Sequence, residues 1–251
     1  MTPNLLILGG TAEASALAEA VAARGWRAVL SYAGRTAAPK VQPVPIRIGG
    51  FGGVAGLARY LADEEITHLI DATHAFAAEI SANAVAAAAE TGVPLAALER
   101  PPWAPEAGDR WLEVGSMAGA VDALEGSARN VFLAIGRQEV AAFAAQPQHR
   151  YFLRFVDPPS VPPPLPRHEV IVARGPFDVE GDRALIASRG IDVVVAKNAG
   201  GEGARAKLTA ARALGLPVVM VARPVLLDRT VFERPEALID WVAHAGTALG
   251  V

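Results

Sequence analysis

The chain has no cysteine among its 251 residues, which excludes disulfides, thiolate metal ligands and cysteine nucleophiles together. Aromatic residues are scarce, at 6% against 52% hydrophobic overall, so the core has to be built from aliphatic side chains. Abundant alanine and valine suit Ala-rich helices packed on Val-rich strands. No apolar run reaches the ~20 residues of a membrane-spanning helix. The amino-terminal apolar residues pass directly into a strand pattern, which is not the layout of a signal peptide. There is no positive excess either: the net charge of −3 argues against general nucleic-acid binding. The scattered histidines lack the i, i+4 pairing of a metal site. Neither a G-x-S-x-G elbow nor a GxxxxGK[ST] loop occurs, so hydrolase and P-loop chemistry have no support. These absences leave a cytoplasmic α/β enzyme as the expected class, with no membrane, nucleic-acid or metal partner.

What is present alternates between strand and helix. Strands are expected at 5–8, 28–31, 46–48, 68–71 and 95–98, with helices at 12–24, from the glycines near 53 to about 63, and at 76–91. The run Arg100-Pro101-Pro102-Trp103-Ala104-Pro105 interrupts the alternation and reads as a domain crossing. Strands at 110–114, 130–134, 151–156, 169–173, 192–196 and 218–221 follow. Helices at 118–124, after Gly136 to about 145, at 178–188 and at 202–214 lie among them, and the last helix, near 235–244, could pack on either half. This order predicts parallel sheets with right-handed crossovers. The expected fold is α/β, with two Rossmann-like or flavodoxin-like parallel-sheet domains, 1–99 and 100–251, facing a shared cleft.

The first strand breaks at Gly9-Gly10-Thr11-Ala12-Glu13-Ala14. Such a turn aims backbone N–H groups and the positive end of a helix at a phosphate. Gly9 and Ala14 match the ends of G-x-G-x-x-G/A, but Thr11 takes the middle glycine. A phosphate would then be held by the Gly10 and Thr11 N–H groups and the Thr11 hydroxyl. The plainer alternative is a tight turn capped by Thr11, with Glu13 in the first helical turn. The next strand ends at Ser31, with Arg35 close behind and no acidic residue at its tip. That suits the 2′-phosphate of NADP better than the free ribose of NAD. Gly49-Gly50-Phe51-Gly52-Gly53 marks either close backbone approach to a ligand or a mobile loop; in the first case Gly50, Phe51 and Gly52 line the cofactor. After the strand at 68–71, Thr73 and His74 stand where open α/β sheets place their sites. His74 is a candidate proton donor or positioning group; alternatively, Asp71 or Thr73 simply caps the next helix. In the second half Arg137, Arg174 and Lys197 fall at strand ends, joined by Asn198 and by Arg223 after the last strand. Cations so placed suit a ligand with several carboxylates or phosphates, although surface solvation accounts for any one of them.

Read in order, Leu8-Gly9-Gly10-Thr11-Ala12-Glu13-Ala14, Ser31-Tyr32-Ala33-Gly34-Arg35, Gly49-Gly50-Phe51-Gly52-Gly53, Asp71-Ala72-Thr73-His74, Ile135-Gly136-Arg137-Gln138, Arg174-Gly175-Pro176-Phe177, Lys197-Asn198-Ala199-Gly200-Gly201 and Ala222-Arg223-Pro224 resemble the precorrin-6A reductases over nearly the whole chain. The resemblance implies hydride transfer from NADPH to the C18=C19 double bond of precorrin-6A, giving precorrin-6B in cobalamin biosynthesis. It also implies that two α/β domains bind cofactor and macrocycle in the cleft between them. The acetate and propionate arms of the substrate would account for the strand-end cations. Two positions depart from the family pattern. Ala75 stands where Asp-Ala-Thr-His-Pro-Phe-Ala has proline, and Ala199 where many relatives have serine. Two other readings remain open: an NADP-dependent reductase of another polycarboxylated tetrapyrrole, and a non-catalytic NADP- or tetrapyrrole-binding protein.

Overall fold

A computed structural model of the chain describes residues 2–34 and 41–245. The chain divides into two compact units. One runs to Pro101 and resumes at Val225; the other is Pro102–Pro224.

In the first unit, β1 (Asn4–Leu8), β2 (Arg27–Tyr32), β3 (Ile46–Ile48), β4 (His68–Asp71), β5 (Leu95–Leu98) and β12 (Thr230–Phe232) form a six-stranded sheet in the order β12-β5-β4-β1-β2-β3. Every neighbouring pair is parallel. β1 is buried along its whole length, as a central parallel strand covered on both faces must be. Its side chains alternate between two cores. Leu5 and Ile7 pack with Leu17 and Val21 of α1 (Ala12–Ala23) and with Leu238, Ile239 and Val242 of α7 (Pro235–Ala245). Leu6 and Leu8 pack with Leu57 and Leu61 of α2 (Gly53–Asp63) and with Ala84 and Ala87 of α3 (Ala78–Thr91).

The second unit repeats the plan. Its strands are β6 (Arg110–Val114), β7 (Asn130–Ala134), β8 (Arg150–Phe155), β9 (His168–Val172), β10 (Val193–Lys197) and β11 (Pro217–Val221), in the order β6-β11-β10-β7-β8-β9. Its helices are α4 (Met117–Asp122), α5 (Val179–Ser188) and α6 (Ala206–Ala213). In both sheets the strand beyond the fifth is out of chain sequence. β6 opens the unit yet lies at the edge beside β11, and β12, reached only after the second unit, lies at the edge beside β5.

Several boundaries differ from those expected. The stretch after Pro224 returns to the first unit, so of the two placements left open for the last helix the first-unit one forms. The reason is packing: α7 buries Leu238, Ile239 and Val242 against α1. β12 has no counterpart in the sequence reading. The expected helix over 202–214 breaks into a 3₁₀ turn, Glu202–Ala204, and α6, while Arg137–Ala145 is 3₁₀ rather than α. α3 starts at Ala78 because the Ala77 N–H donates to the His74 carbonyl in a separate turn.

Candidate functional site

In the first sheet the strand order reverses at β1, between β4 and β2, and such a switch point is where open α/β sheets hold ligands. The β1–α1 turn occupies it. Gly10 has φ +122°, and a Cβ there would meet nothing within 4 Å, so the turn needs glycine for its backbone and leaves open space over it. Gly9 is confined instead: a Cβ would lie 2.5 Å from Leu30 Cδ1, and its N–H donates to the Ser31 carbonyl. Thr11 caps α1, its Oγ1 accepting from the Ala14 N–H at 3.1 Å and donating to the Ala72 carbonyl at 2.8 Å. The hydroxyl counted above as a phosphate ligand is thereby used twice within the fold. Glu13, in the first turn of α1, pairs with Arg100 at 3.2 Å.

Ser31, the residue before the last of β2, is buried and in register with Arg47 of β3. Arg35 lies outside the described residues. Arg47, which the sequence reading passed over, organises this corner. Its guanidinium donates to the Gly49 and Gly50 carbonyls at 2.5 and 2.8 Å and reaches Ser31 Oγ at 3.4 Å. It also stacks 3.8 Å over the Phe51 ring. The glycine cluster is therefore a held loop, with Gly49, Gly52 and Gly53 all at positive φ. A cation two residues before a glycine run was the available signal; its stacking partners were not visible before folding.

At the end of β4, Asp71 Oδ1 accepts from both the N–H (3.1 Å) and the hydroxyl (2.6 Å) of Thr73. His74 Nδ1 accepts from the Phe76 N–H at 3.2 Å, which assigns the ring proton to Nε2 in neutral His74. The Thr11–Ala72 bond ties this turn to the glycine turn of β1.

In the second unit the cations stand at strand ends, each with a partner. Arg137 donates to the Asp157 carbonyl at 2.8 Å, and Arg174 pairs with the Asp157 carboxylate at 3.3 Å. Lys197 pairs with Glu139 at 2.9 Å. Asn198 and Arg223 are tied into the scaffold. The Asn198 amide clamps the backbone of Trp103, accepting at 2.7 Å and donating at 2.9 Å, and Arg223 donates to the Asn198 and Ala199 carbonyls. Among the described residues no helix is long and apolar enough to cross a membrane, and no group of three or more histidine and acidic side chains could hold a metal ion.

The family model described as "Precorrin-6x reductase CbiJ/CobK" matches residues 4–243. The chain is 57% identical over 249 residues to the "Precorrin-6A reductase" of Rhodobacter capsulatus, covering 99% of both chains. It is 51% identical over 243 residues to that of Sinorhizobium sp, covering 96% of this chain and 93% of the other. A solved structure titled "CobK precorrin-6A reductase" superposes with a TM-score of 0.93 at 57% identity, covering 98% of each chain.

Proposed function

The chain belongs to the precorrin-6x reductase family, and from that premise we propose that it reduces the C18=C19 bond of precorrin-6A with NADPH in the cytoplasm, giving precorrin-6B. The observation that carries the reading is the 2.8 Å bond from Thr11 Oγ1 to the Ala72 carbonyl. It fastens the turn suited to a pyrophosphate beside the turn bearing Thr73 and His74, at the switch point of the sheet.

The residues present fit a dinucleotide. Glycine at φ +122° opens onto empty space at the amino end of α1, where the helix dipole favours an anion. With the Thr11 hydroxyl spent, Gly9, Gly10 and Thr11 bind through their backbone, and Glu13 anchors the helix start through Arg100. Ser31, followed in sequence by Arg35, takes the 2′-phosphate. Gly50, Phe51 and Gly52, stiffened by Arg47, and Thr73 line the remainder of the cofactor. When bound, NADPH would supply the hydride. The reduced bond then needs one proton to complete it, which His74 Nε2 would deliver, unless the imidazole serves to orient the acceptor. Arg137, Arg174 and Lys197 release Asp157 and Glu139 and take substrate carboxylates in exchange, with Asn198 and Arg223 shaping the loop beneath.

The test follows NADPH absorbance with and without precorrin-6A, with NADH in parallel. Consumption that requires precorrin-6A and favours NADPH is expected. Cofactor binding without consumption would sink the reading in favour of a non-catalytic binder. His74→Ala should slow turnover about 100-fold if the imidazole donates the proton; unchanged turnover at saturating substrate would assign protonation to water.

A further inference from the structure

The β4–α3 turn is held from beneath by a cation from a distant part of the chain. Arg229 directly precedes β12, and its side chain is 5% exposed. Its Nη2 meets Glu99 and lies 3.7 Å from Asp71 Oδ2. Asp71, itself 2% exposed, gives its other oxygen to Thr73 twice over. We infer that Arg229 is a positioning residue for the reduction: it fixes the Asp71 carboxylate and, through it, the Thr73–His74 turn. This rests on the reading above that Thr73 and His74 serve the reaction.

Geometry and energetics point the same way. Asp71 is in register with Leu8 on one side and Ala97 on the other, so its carboxylate stands between the strand feeding the glycine turn and the strand leading to Glu99. The 71–74 turn is thus anchored twice, by Thr11 at the start of α1 and by Arg229 just before β12. Burying a guanidinium is costly unless its donors are met. Here Nε and Nη1 are buried without a hydrogen-bond partner, as is Asp71 Oδ2. An edge strand that needed only to pair with β5 would be better served by an apolar residue at this position. A buried group of this kind calls for an explanation beyond strand pairing.

The experiment compares the full-length protein with Arg229→Met, Arg229→Lys and the double variant Arg229→Met/Asp71→Asn. Three quantities are read: the single-turnover rate of NADPH oxidation with enzyme in excess, the NADPH Kd by fluorescence, and hydrogen exchange at the Thr73 amide. Arg229→Met is expected to slow hydride transfer about 10–100-fold, the loss that a displacement of order 1 Å brings. It should raise the NADPH Kd far less than it slows hydride transfer, because Thr73 is one of several cofactor contacts, and speed exchange at Thr73 without affecting exchange in the second unit. Arg229→Lys keeps the charge and should recover part of the rate. Should Arg229→Met fail to fold, the double variant removes the stranded carboxylate charge and gives the same readings. A wild-type rate together with unchanged Thr73 exchange would overturn the inference and leave Arg229 as architecture. If the wild type transfers no hydride to precorrin-6A, the functional reading falls, and Thr73 exchange alone still decides whether Arg229 fixes the turn.

Discussion

Glycine serves two different physical needs around the proposed cofactor site, and a substitution separates them. Gly10 is required by its backbone angle, whereas Gly56, inside α2, is required by a neighbour. A Cβ on Gly56 would lie 1.8 Å from the Phe51 carbonyl oxygen. Because that atom is backbone, it cannot turn aside as a flexible side chain could. Gly56→Ala should therefore push the Phe51 segment off α2 and break the register between Arg47 and the Gly49 and Gly50 carbonyls. Overpacking of this kind costs about 1–3 kcal/mol, so a Tm lower by several degrees is expected, together with weaker NADPH binding. Calorimetry and a fluorescence titration check the two halves; a lower Tm with an unchanged Kd would show that the loop does not touch the cofactor. The run of glycines was legible as a loop, either close to a ligand or mobile, but the need for Gly56 was not. Nothing in a helix-compatible glycine reveals which carbonyl will press against it.

The elements that read most clearly carry their own local signals: β1 as an unbroken apolar run, α1 with its Thr11 cap, and β4 ending in Asp71-Ala72-Thr73-His74. Those that escaped depend on distant partners. β12 is three residues long and exists because Thr230, Val231 and Phe232 pair with Ala96, Ala97 and Leu98, a match far apart in sequence. Arg229 was invisible as a site residue for the same reason, since a charged residue reads as surface until the fold buries it. α7 shows how much such a late element contributes. Leu238 is fully buried in the cluster that holds Leu17 and Val21, so Leu238→Ala should cost about 2–5 kcal/mol, as cavity-forming substitutions in cores do. Urea unfolding of Leu238→Ala and Leu17→Ala should give losses of similar size. A negligible loss for Leu238→Ala would mean that the returning segment is not integral to the first core.

At the scale of the whole molecule, each unit carries one buried histidine whose pKa burial lowers, and both contribute to how stability responds to pH. His68, at the start of β4, has its pKa lowered by burial. Its Nδ1 contacts the Thr67 hydroxyl at 2.9 Å and its ring packs edge-on to Trp241 at 5.5 Å. Its Nε2 is buried without a partner, so a proton added there would have no acceptor. His149, in the second unit, is lowered chiefly by burial. The Leu124 carbonyl opposes the shift, and the Arg129 and Arg167 charges reinforce it. Both of its nitrogens are committed in the neutral ring, Nδ1 accepting from the Arg129 N–H at 3.1 Å and Nε2 facing the Leu124 carbonyl at 2.7 Å. An unfolded histidine titrates near 6.5, so between that value and the lower folded value the unfolded chain binds more protons. Stability therefore rises with pH across this window. The contribution is complete above about pH 6.5 and is lost as the pH falls below it, ahead of the range near pH 4 where carboxylates begin to titrate. Urea midpoints should fall steadily from pH 7 to pH 5. His68→Gln should reduce that slope by removing the first unit's share while leaving the contribution of His149. A midpoint independent of pH over this range would show that neither histidine is held neutral by the fold.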